Sequence, residues 1–343
     1  ISYFRITVDS LKMLERIEWV VDDLIMQITE GRKLILRASL DETDHQLHYN
    51  KSTLRKLAVN CRNLAQMYHL IKINKKSTLR DLYYDHKHLY VKQEALNRSV
   101  SHLCQLLSVT RSHLNVTSCS KGLVFGNLCL KPMNGEEETP IDCSKEPLLI
   151  SESFVSYLPS SSARFIVVVE KDATFQKLID DGFPVIYPSS ILVTGKGYPD
   201  LITREFLHGL VDRLNICIFG LFDADPHGME IFLTYKYGSS TSRVEGRSAV
   251  VPSIQWLGLR PSERDTIPIA HNQLLAMVNA DHRKSARVRK RAETLKEDQI
   301  VQELDVLRER PFKMELEAVS SAGLAFLPTF YLNPKLRHLL TEL

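Results

Sequence analysis

The chain has 343 residues, which is enough for two domains with separate hydrophobic cores. Hydrophobic residues make up 44% of it and charged residues 25%, as in an ordinary globular protein, and no apolar run is long enough to cross a membrane. The formal net charge of +3 is too small to indicate nucleic-acid binding by itself.

The cysteine spacing excludes two kinds of small scaffold. None of the cysteines forms a C-x-x-C pair, which argues against a zinc site and against a disulfide framework. The pattern fits a reducing compartment. The cysteines lie at positions 61, 104, 119, 129, 143 and 217.

The N-terminal part is predicted to be mainly helical. A helix leading into an extended segment is expected over 11–40, a polar loop over 41–51, and helices over 54–73, from Thr78, and over 93–107. Two short strand-like pieces, 114–116 and 123–125, flank Lys121 and Gly122. Three helices followed by a two-stranded wing are typical of a winged helix-turn-helix, which usually binds a nucleic-acid groove. A purely architectural helical domain fits the same pattern.

The short helix from Thr78 contains an arginine and a tyrosine on one face. Asp81 follows Thr78 by three residues, which is close to a capping box. Arg80 and Tyr84 are four residues apart, so a helix places them on the same side. A tyrosine hydroxyl is a poor nucleophile at neutral pH, but a neighbouring guanidinium can stabilise the phenolate and an attacked phosphate. Without further context, Tyr83 and Tyr84 are more often core residues.

A linker is predicted over 131–163, where Gly135, a run of glutamates at 136–138, prolines and serines accumulate. Beyond it, strand-like and helix-like segments alternate, which predicts a mostly parallel sheet covered by helices. The predicted strands are 165–169, 191–194, 216–222 and 250–257, and the predicted helices are 201–214, one from Pro226, and 283–308.

Carboxylates follow two of these buried strands directly. Glu170 comes after the first, and Asp223 and Asp225 come after the third. The carboxyl ends of strands in an α/β sheet form the crevice where ligands bind. Three carboxylates in one crevice repel one another, so removing one is expected to relieve repulsion, and a cation between them is favoured. Hard oxygen ligands suit Mg²⁺, which often meets substrate phosphates, so the pattern suggests metal-assisted phosphoryl transfer. The alternative for the Asp223 and Asp225 pair alone is a solvated turn.

Other ligand motifs fail. The segment from Asp223 to Gly228 resembles the start of a calcium loop, but Thr234 stands where the acidic twelfth ligand is required. A dinucleotide fingerprint beginning at Gly195 would need glycine at Asp200. No G-x-x-x-x-G-K-[ST] phosphate loop occurs in the chain.

Three motifs, in this order, resemble the topoisomerase VI A-subunit family, whose eukaryotic relatives are the meiotic double-strand-break proteins (sporulation protein eleven). They are Arg80-Asp81-Leu82-Tyr83-Tyr84, Val169-Glu170-Lys171-Asp172-Ala173-Thr174-Phe175 and Asp223-Ala224-Asp225-Pro226-His227-Gly228. Smaller matches occur at 120–123, 194–200, 235–239 and 256–259. The resemblance is good over about 50–260 and looser outside that range, with part of the family's C-terminal pattern at 310–312 and 331–336.

The resemblance implies an α/β multidomain protein: an N-terminal helical segment over 1–50, a winged-helix domain over 51–130, the linker, and a Toprim domain with a C-terminal helical extension over 164–343. By position in the motif, Tyr84 is the nucleophile, Tyr83 a packing neighbour and Arg80 an activating residue. Glu170, Asp223 and Asp225 are implied to hold Mg²⁺. Lys121 and Tyr198 match positions near DNA, and Lys196 is expected to contact a phosphate.

The implied activity is a transesterification that leaves a DNA double-strand break with protein joined to each 5′ end, and that initiates meiotic recombination in the nucleus, on chromosomes. The implied partners are duplex DNA, a second copy of the chain, a topoisomerase VI B-like subunit that carries the ATPase, and meiotic accessory proteins. Two other functions fit the residues: a Toprim-type nuclease that uses water, with Tyr84 merely packed, and a DNA-binding scaffold without catalysis.

Overall fold

The computed structural model describes residues 8–38, 46–117, 120–132, 139–151, 154, 157–239 and 249–341. The chain divides into two compact units between residues 119 and 120. No helix in the described ranges is both long enough and apolar enough to cross a membrane.

The first unit is built mainly from helices. Apolar side chains at helical spacing, among them Leu64, Leu96 and Leu103, are fully buried and form its core. The helices are α1 (Val8–Thr29), α2 (Leu54–Lys72), α3 (Leu79–Asp85), α4 (Lys87–Tyr90) and α5 (Gln93–Leu106), and the strands are β1 (Ile35–Leu36), β2 (Leu47–His48), β3 (Ser77–Thr78) and β4 (Val116–Thr117). The helices predicted over 54–73, from Thr78 and over 93–107 are confirmed, whereas α4 was not predicted.

The predicted two-stranded wing is wrong as to its strands. β4 pairs in parallel with β3, inside the first unit. The second piece forms β5 (Leu123–Gly126), which pairs with a strand of the second unit. Short strands of this kind carry no local signal of their partner, and β5 is mostly buried because it extends the large sheet. The second unit therefore begins at Ser120, inside the range 51–130 that the sequence analysis assigns to the winged-helix domain.

Besides β5, the described strands of the second unit are β6 (Cys129–Lys131), β7 (Ile141–Asp142), β8 (Leu148–Leu149), β9 (Leu158–Ser160), β10 (Phe165–Val169), β11 (Ser190–Thr194), β12 (Cys217–Leu221), β13 (Gln255–Gly258), β14 (Leu275–Ala276) and β15 (Phe312–Lys313). Six of them form a sheet in the order β13-β12-β10-β11-β5-β8. Strands β10 to β13 run parallel to one another, while β5 is antiparallel to both of its partners.

Helices cover both faces of this sheet. Along β10, Ile166 and Val168 point into one core, and Phe165, Val167 and Val169 into the other. The mostly parallel, doubly covered sheet predicted from its apolar strands is therefore confirmed. The helices are α6 (Asp172–Asp180), α7 (Phe183–Ile186), α8 (Leu201–Leu214), α9 (Pro226–Tyr237), α10 (Asn279–Leu295), α11 (Asp298–Glu309), α12 (Leu316–Ser320) and α13 (Asn333–Thr341), with a π-helical segment at Leu327–Leu332.

Three further expectations need correction. The described part of the predicted linker contains β7, β8 and β9, since its glycine, proline and serine content reflects turns between short strands; Gly135 and the glutamates at 136–138 lie outside the described residues. The strand predicted over 250–257 begins only at Gln255. Val251 and Ile254 are buried apolar residues, but they belong to a turn that precedes the strand. The helix predicted over 283–308 is broken at Lys296, which has a left-handed backbone conformation with φ of 59°.

Candidate active site

The helix α3 is fixed at its start by the predicted capping box. Thr78 Oγ1 accepts a hydrogen bond of 3.1 Å from the Asp81 N–H, and the Asp81 carboxylate accepts one of 3.3 Å from the Thr78 N–H. Leu79 and Leu82 are buried against the first unit's core. This arrangement leaves the opposite face of α3 open to solvent.

The two adjacent tyrosines of α3 lie in different environments. Tyr84 is 59% exposed. Tyr83 is half-buried, and its hydroxyl donates a hydrogen bond of 3.2 Å to the Val91 carbonyl oxygen. Its ring stacks on Tyr90 at 6.2 Å between centroids and meets Tyr84 edge-on at 5.6 Å. Tyr83 is thus an anchored packing residue, whereas Tyr84 presents its ring to solvent.

A buried polar network supports the anchored ring. The Tyr90 hydroxyl donates a hydrogen bond of 2.5 Å to Asn63 Oδ1, and Asn63 Nδ2 donates one of 2.6 Å to Ser99 Oγ. Burial raises the pKa of Tyr90 to about 12, so this hydroxyl remains a donor at neutral pH. The network ties α2, α4 and α5 together beneath Tyr83, a connection the sequence did not indicate.

Arg80 is exposed on the same face of α3 as Tyr84. Within the part of the chain that the structure describes, its guanidinium forms no hydrogen bond or ion pair with another side chain. Its five donors therefore remain available to an anion that approaches Tyr84.

The three predicted metal-binding carboxylates belong to the second unit. Glu170 follows β10 and Asp223 follows β12, and these are neighbouring parallel strands. The Asp223 N–H donates a hydrogen bond of 2.9 Å to Glu170 Oε2. Both side chains are buried, Glu170 with 6% and Asp223 with 2% exposure. The strand order therefore brings together two acidic residues that are 53 positions apart.

Asp225 has a structural role besides its predicted one. It is the N-cap of α9, where its Oδ1 accepts hydrogen bonds of 2.8 Å from the N–H groups of His227 and Gly228. A Cβ atom at Gly228 would lie 2.3 Å from the Asp223 carbonyl oxygen, so only glycine permits this close turn. The turn holds Asp223 and Asp225 beside Glu170.

Burial and mutual repulsion disfavour the ionised form of the carboxyl groups in this cluster. Burial raises the pKa of Glu170, and the charges of Asp223 and Asp225 raise it further. Burial also raises the pKa of Asp223, against the opposing effect of the Lys171 ammonium. A proton or a cation is therefore favoured at Glu170.

The donor set fits a hard divalent cation. Among the described residues, Glu170 Oε1 and Asp225 Oδ2 accept no hydrogen bond, and carboxylate oxygens are the ligands that Mg²⁺ prefers. As the side chains stand, no three acidic, histidine or cysteine residues in the described ranges are arranged to hold a metal ion. The metal role of these carboxylates stays a prediction.

Lys171 belongs to the second family motif, and its side chain lies at this cluster. Its Nζ lies 2.9 Å from Asp223 Oδ2. Two glutamates near the C-terminal end, Glu315 and Glu317, also contact it. The motif includes the lysine, but nothing in the sequence indicates Glu317 as its partner, 146 positions away.

The predicted DNA-contacting residues lie around the turn between β11 and α8. The Gly197 N–H donates a hydrogen bond of 2.8 Å to the Glu170 carbonyl oxygen, so this turn lies against the carboxylate cluster. Lys121 Nζ donates to the Lys196 carbonyl oxygen at 3.1 Å, and Lys196 Nζ forms an ion pair of 2.9 Å with Asp172.

Tyr198 is held by α9. Its hydroxyl donates a hydrogen bond of 2.5 Å to Glu230 Oε2 and lies 3.1 Å from His227 Nδ1. Burial and the Glu230 carboxylate raise the pKa of Tyr198, which makes it a neutral donor and a poor nucleophile. The structure thus brings Lys121, Lys196 and Tyr198 to the unit that carries the carboxylates, whereas Arg80 and Tyr84 lie on the first unit.

Family models match both units. The model of the Toprim domain shared by the topoisomerase 6 A-subunit and Spo11 matches residues 165–336, and the model "Type IIB DNA topoisomerase" matches residues 55–116. The chain belongs to the topoisomerase VI A-subunit/Spo11 family. Its second unit contains the Toprim domain, and its enzyme class is that of a type IIB topoisomerase-like transesterase. The Toprim match includes the region after residue 260, where the sequence motifs indicate only a loose resemblance.

Curated relatives agree with the family. The chain is 38% identical over 331 residues to "Meiotic recombination protein spo-11" of Caenorhabditis elegans, covering 96% of this chain and 77% of that protein. It is 34% identical to "Meiotic recombination protein SPO11" of Mus musculus, covering 83% and 72%. It is also 33% identical to the DNA topoisomerase 6 A-subunit of Arabidopsis thaliana, covering 83% and 67%.

Proposed function

We propose that this chain makes meiotic DNA double-strand breaks by transesterification, with Tyr84 as the nucleophile. The observation that carries the proposal is the contrast within α3. Tyr84 is 59% exposed on the face that carries Arg80, whose guanidinium has no partner among the described residues, whereas the Tyr83 hydroxyl is bound to Val91. Family membership supplies the reaction class, and the names of the relatives supply the meiotic context.

The proposed step exchanges one phosphodiester for another. Tyr84 Oη attacks a backbone phosphorus, and the bond from phosphorus to the 3′ oxygen breaks. The phenol loses its proton, and the leaving 3′ oxygen gains one, so the step is balanced. The 5′ end stays joined to Tyr84 as a phosphotyrosine ester. Because the two esters are similar in energy, the chemical step requires no nucleotide hydrolysis, which agrees with the absence of a phosphate loop from the sequence.

Arg80 is proposed to bind the attacked phosphate. A guanidinium on the face of α3 that carries Tyr84 can donate two parallel hydrogen bonds to phosphate oxygens and stabilise charge that develops as the bond forms. Its lack of a described partner supports this role, since no competing ion pair must be broken.

Glu170, Asp223 and Asp225 are proposed to hold Mg²⁺. When bound, the ion supplies positive charge that neutralises and orients phosphate oxygens. The raised pKa of Glu170 supports this assignment, because it reports a buried carboxyl group with too little positive charge around it.

DNA is proposed to lie along the turn that contains Lys196 and Tyr198, with Lys121 beside it. Contacts with Asp172, Glu230 and the Lys196 carbonyl oxygen fix these side chains around a turn whose Gly197 N–H donates to the Glu170 carbonyl oxygen. Lysine contacts to phosphate give affinity that depends on salt and not on sequence.

The first unit is proposed to act as a helix-turn-helix DNA-binding domain, with α2, α3 and α5 as its helices, while the strands of the predicted wing pair elsewhere. Activity is proposed to require a homodimer, in which Tyr84 of one copy meets the carboxylates of the other, together with meiotic accessory proteins and a topoisomerase VI B-like subunit. The expected location is the nucleus, on chromosomes.

The end products of a cleavage reaction distinguish the proposal from its rivals. The chain is incubated with Mg²⁺ and duplex DNA labelled at its 3′ ends, with B-like subunit supplied where needed, and the products are separated under denaturing conditions. Label that migrates with protein supports a phosphotyrosine link. Breaks with free 5′ ends would instead identify a nuclease that uses water, and bound but uncut DNA a scaffold.

A further inference from the structure

Lys171 lies among three carboxylates that differ in their exposure to water. Its Nζ is 2.9 Å from Asp223 Oδ2, 3.1 Å from Glu317 Oε2 and 3.3 Å from Glu315 Oε1. The Asp223 side chain is 2% exposed, whereas those of Glu315 and Glu317 are 41% and 39% exposed. A single ammonium thus bridges the buried cluster to two hydrated glutamates.

The segment that carries the two glutamates is attached to the cluster independently of Lys171. The Leu316 N–H donates a hydrogen bond of 2.8 Å to Asp223 Oδ1, and the Ala224 N–H donates one of 2.9 Å to the Met314 carbonyl oxygen. These backbone bonds hold Glu315 and Glu317 near the carboxylate cluster even when Lys171 is not paired with Asp223.

Both oxygens of Asp223 therefore have a protein partner: Oδ1 accepts from Leu316 and Oδ2 is paired with Lys171. A divalent cation bound by Asp223 would meet the Lys171 charge at the same carboxylate. Two cations a few ångströms apart in a poorly hydrated site repel strongly, so one of them must give way.

We propose that Lys171 is the counter-ion of Asp223 in the metal-free chain and competes with the divalent cation for this carboxylate. When the cation binds, the Lys171 ammonium stays paired with Glu315 and Glu317. The inference rests on the metal site in the proposed function. It explains why two further glutamates face a lysine whose buried partner already neutralises it.

Lys171 has opposite effects on the fold and on the cation. In the metal-free chain Lys171 stabilises the fold, because it compensates a buried carboxylate. For the cation it is a competitor, so Lys171 lowers metal affinity, and metal binding weakens the Lys171–Asp223 pair by the same factor. Lys171 is a positioning residue, since it acts through Asp223 and needs no contact with DNA.

The test compares Lys171→Met with Lys177→Met in the full chain without DNA. Lys177 is the matched control, because it pairs at 3.1 Å with the 6% exposed carboxylate of Asp181 on another part of the unit. Mn²⁺ binding is measured by electron paramagnetic resonance, and melting temperature is measured with and without the metal. We expect Lys171→Met to melt lower without metal and to bind Mn²⁺ at least about fivefold more tightly, and Lys177→Met to bind like the unaltered chain.

A double-mutant cycle keeps the test decisive if Lys171→Met folds poorly without metal. Glu315→Gln with Glu317→Gln is expected to weaken Mn²⁺ binding, and to weaken it less when Lys171 is already methionine. Equal effects in both backgrounds, or unchanged or weaker Mn²⁺ binding by Lys171→Met, overturn the role of Lys171. A third arm, Glu170→Ala, separates the two proposals: if no chain shows Mn²⁺ binding that this substitution removes, the metal site itself fails, and the Lys171 proposal with it.

Discussion

The backbone N–H of Asp223 donates a hydrogen bond of 2.9 Å to the Glu170 carboxylate. This bond joins the ends of β10 and β12 and holds a buried acidic pair at the edge of the sheet. The two residues differ in one respect that matters for stability: Lys171 pairs with Asp223 and not with Glu170.

Neutralising the two carboxylates is therefore expected to have opposite effects on the metal-free chain. Glu170→Gln keeps an acceptor for the Asp223 N–H and removes repulsion, so the melting temperature holds or rises. Asp223→Asn deprives Lys171 of its buried partner and is expected to cost about 1–3 kcal/mol. Calorimetry without metal checks both signs. A fall for Glu170→Gln as large as that for Asp223→Asn would contradict the account.

The Lys171–Asp223 pair leads us to expect a different result at Asp223 from the sequence-based prediction that removing either carboxylate relieves repulsion. That prediction considered like charges alone. The partners of Lys171 could not be foreseen from local spacing.

The stability of the metal-free chain is expected to fall as pH rises. A carboxyl group with a raised pKa keeps its proton in the folded state while the unfolded chain loses it above the ordinary value of 4.5. The stabilisation is thus complete below that value and is lost as pH rises towards the folded pKa of Glu170. Melting curves between about pH 5 and about pH 8 should show a steeper decline for the unaltered chain than for Glu170→Gln. Parallel declines would remove Glu170 as the cause.

DNA binding is expected to depend steeply on salt. Lys121→Ala removes one proposed phosphate contact and should reduce the slope of log affinity against log salt concentration by about one unit. Lys131→Ala, which removes an exposed lysine of β6, serves as the control and should leave the slope unchanged. If both variants keep the original slope, Lys121 does not contact DNA.

The architecture was predictable wherever local pattern decides structure. Uninterrupted apolar runs identified β10 and β12, and Asp200, whose Oδ1 accepts from the Thr203 N–H at 2.8 Å, stands at the predicted start of α8. The partner of β5 was not predictable, because a four-residue strand pairs according to tertiary context. The same holds for the site. The acidic motifs indicated Glu170 and Asp223, but no local pattern connects Leu316 to Asp223 across 93 positions.

Mixed dimers are expected to test whether the active site is shared between two copies. Tyr84→Phe and Glu170→Ala homodimers should each be inactive. A heterodimer retains one combination of Tyr84 with intact carboxylates if the site is assembled in trans, so the mixture should nick supercoiled DNA in one strand. Assembly within a single copy would leave no intact combination. The absence of nicks from demonstrated heterodimers on DNA would rule out the shared site.

The central claim is that Tyr84, and no other residue, becomes joined to DNA. The measurement that tests it most directly is mass spectrometry of the peptide that stays attached to the 5′ end after cleavage with Mg²⁺. We expect the adduct on Tyr84, a loss of covalent product of roughly 10³-fold or more in Tyr84→Phe with DNA binding retained, and little change in Tyr83→Phe. An adduct on Tyr83, or cleavage by Tyr84→Phe at the unaltered rate, would contradict the account.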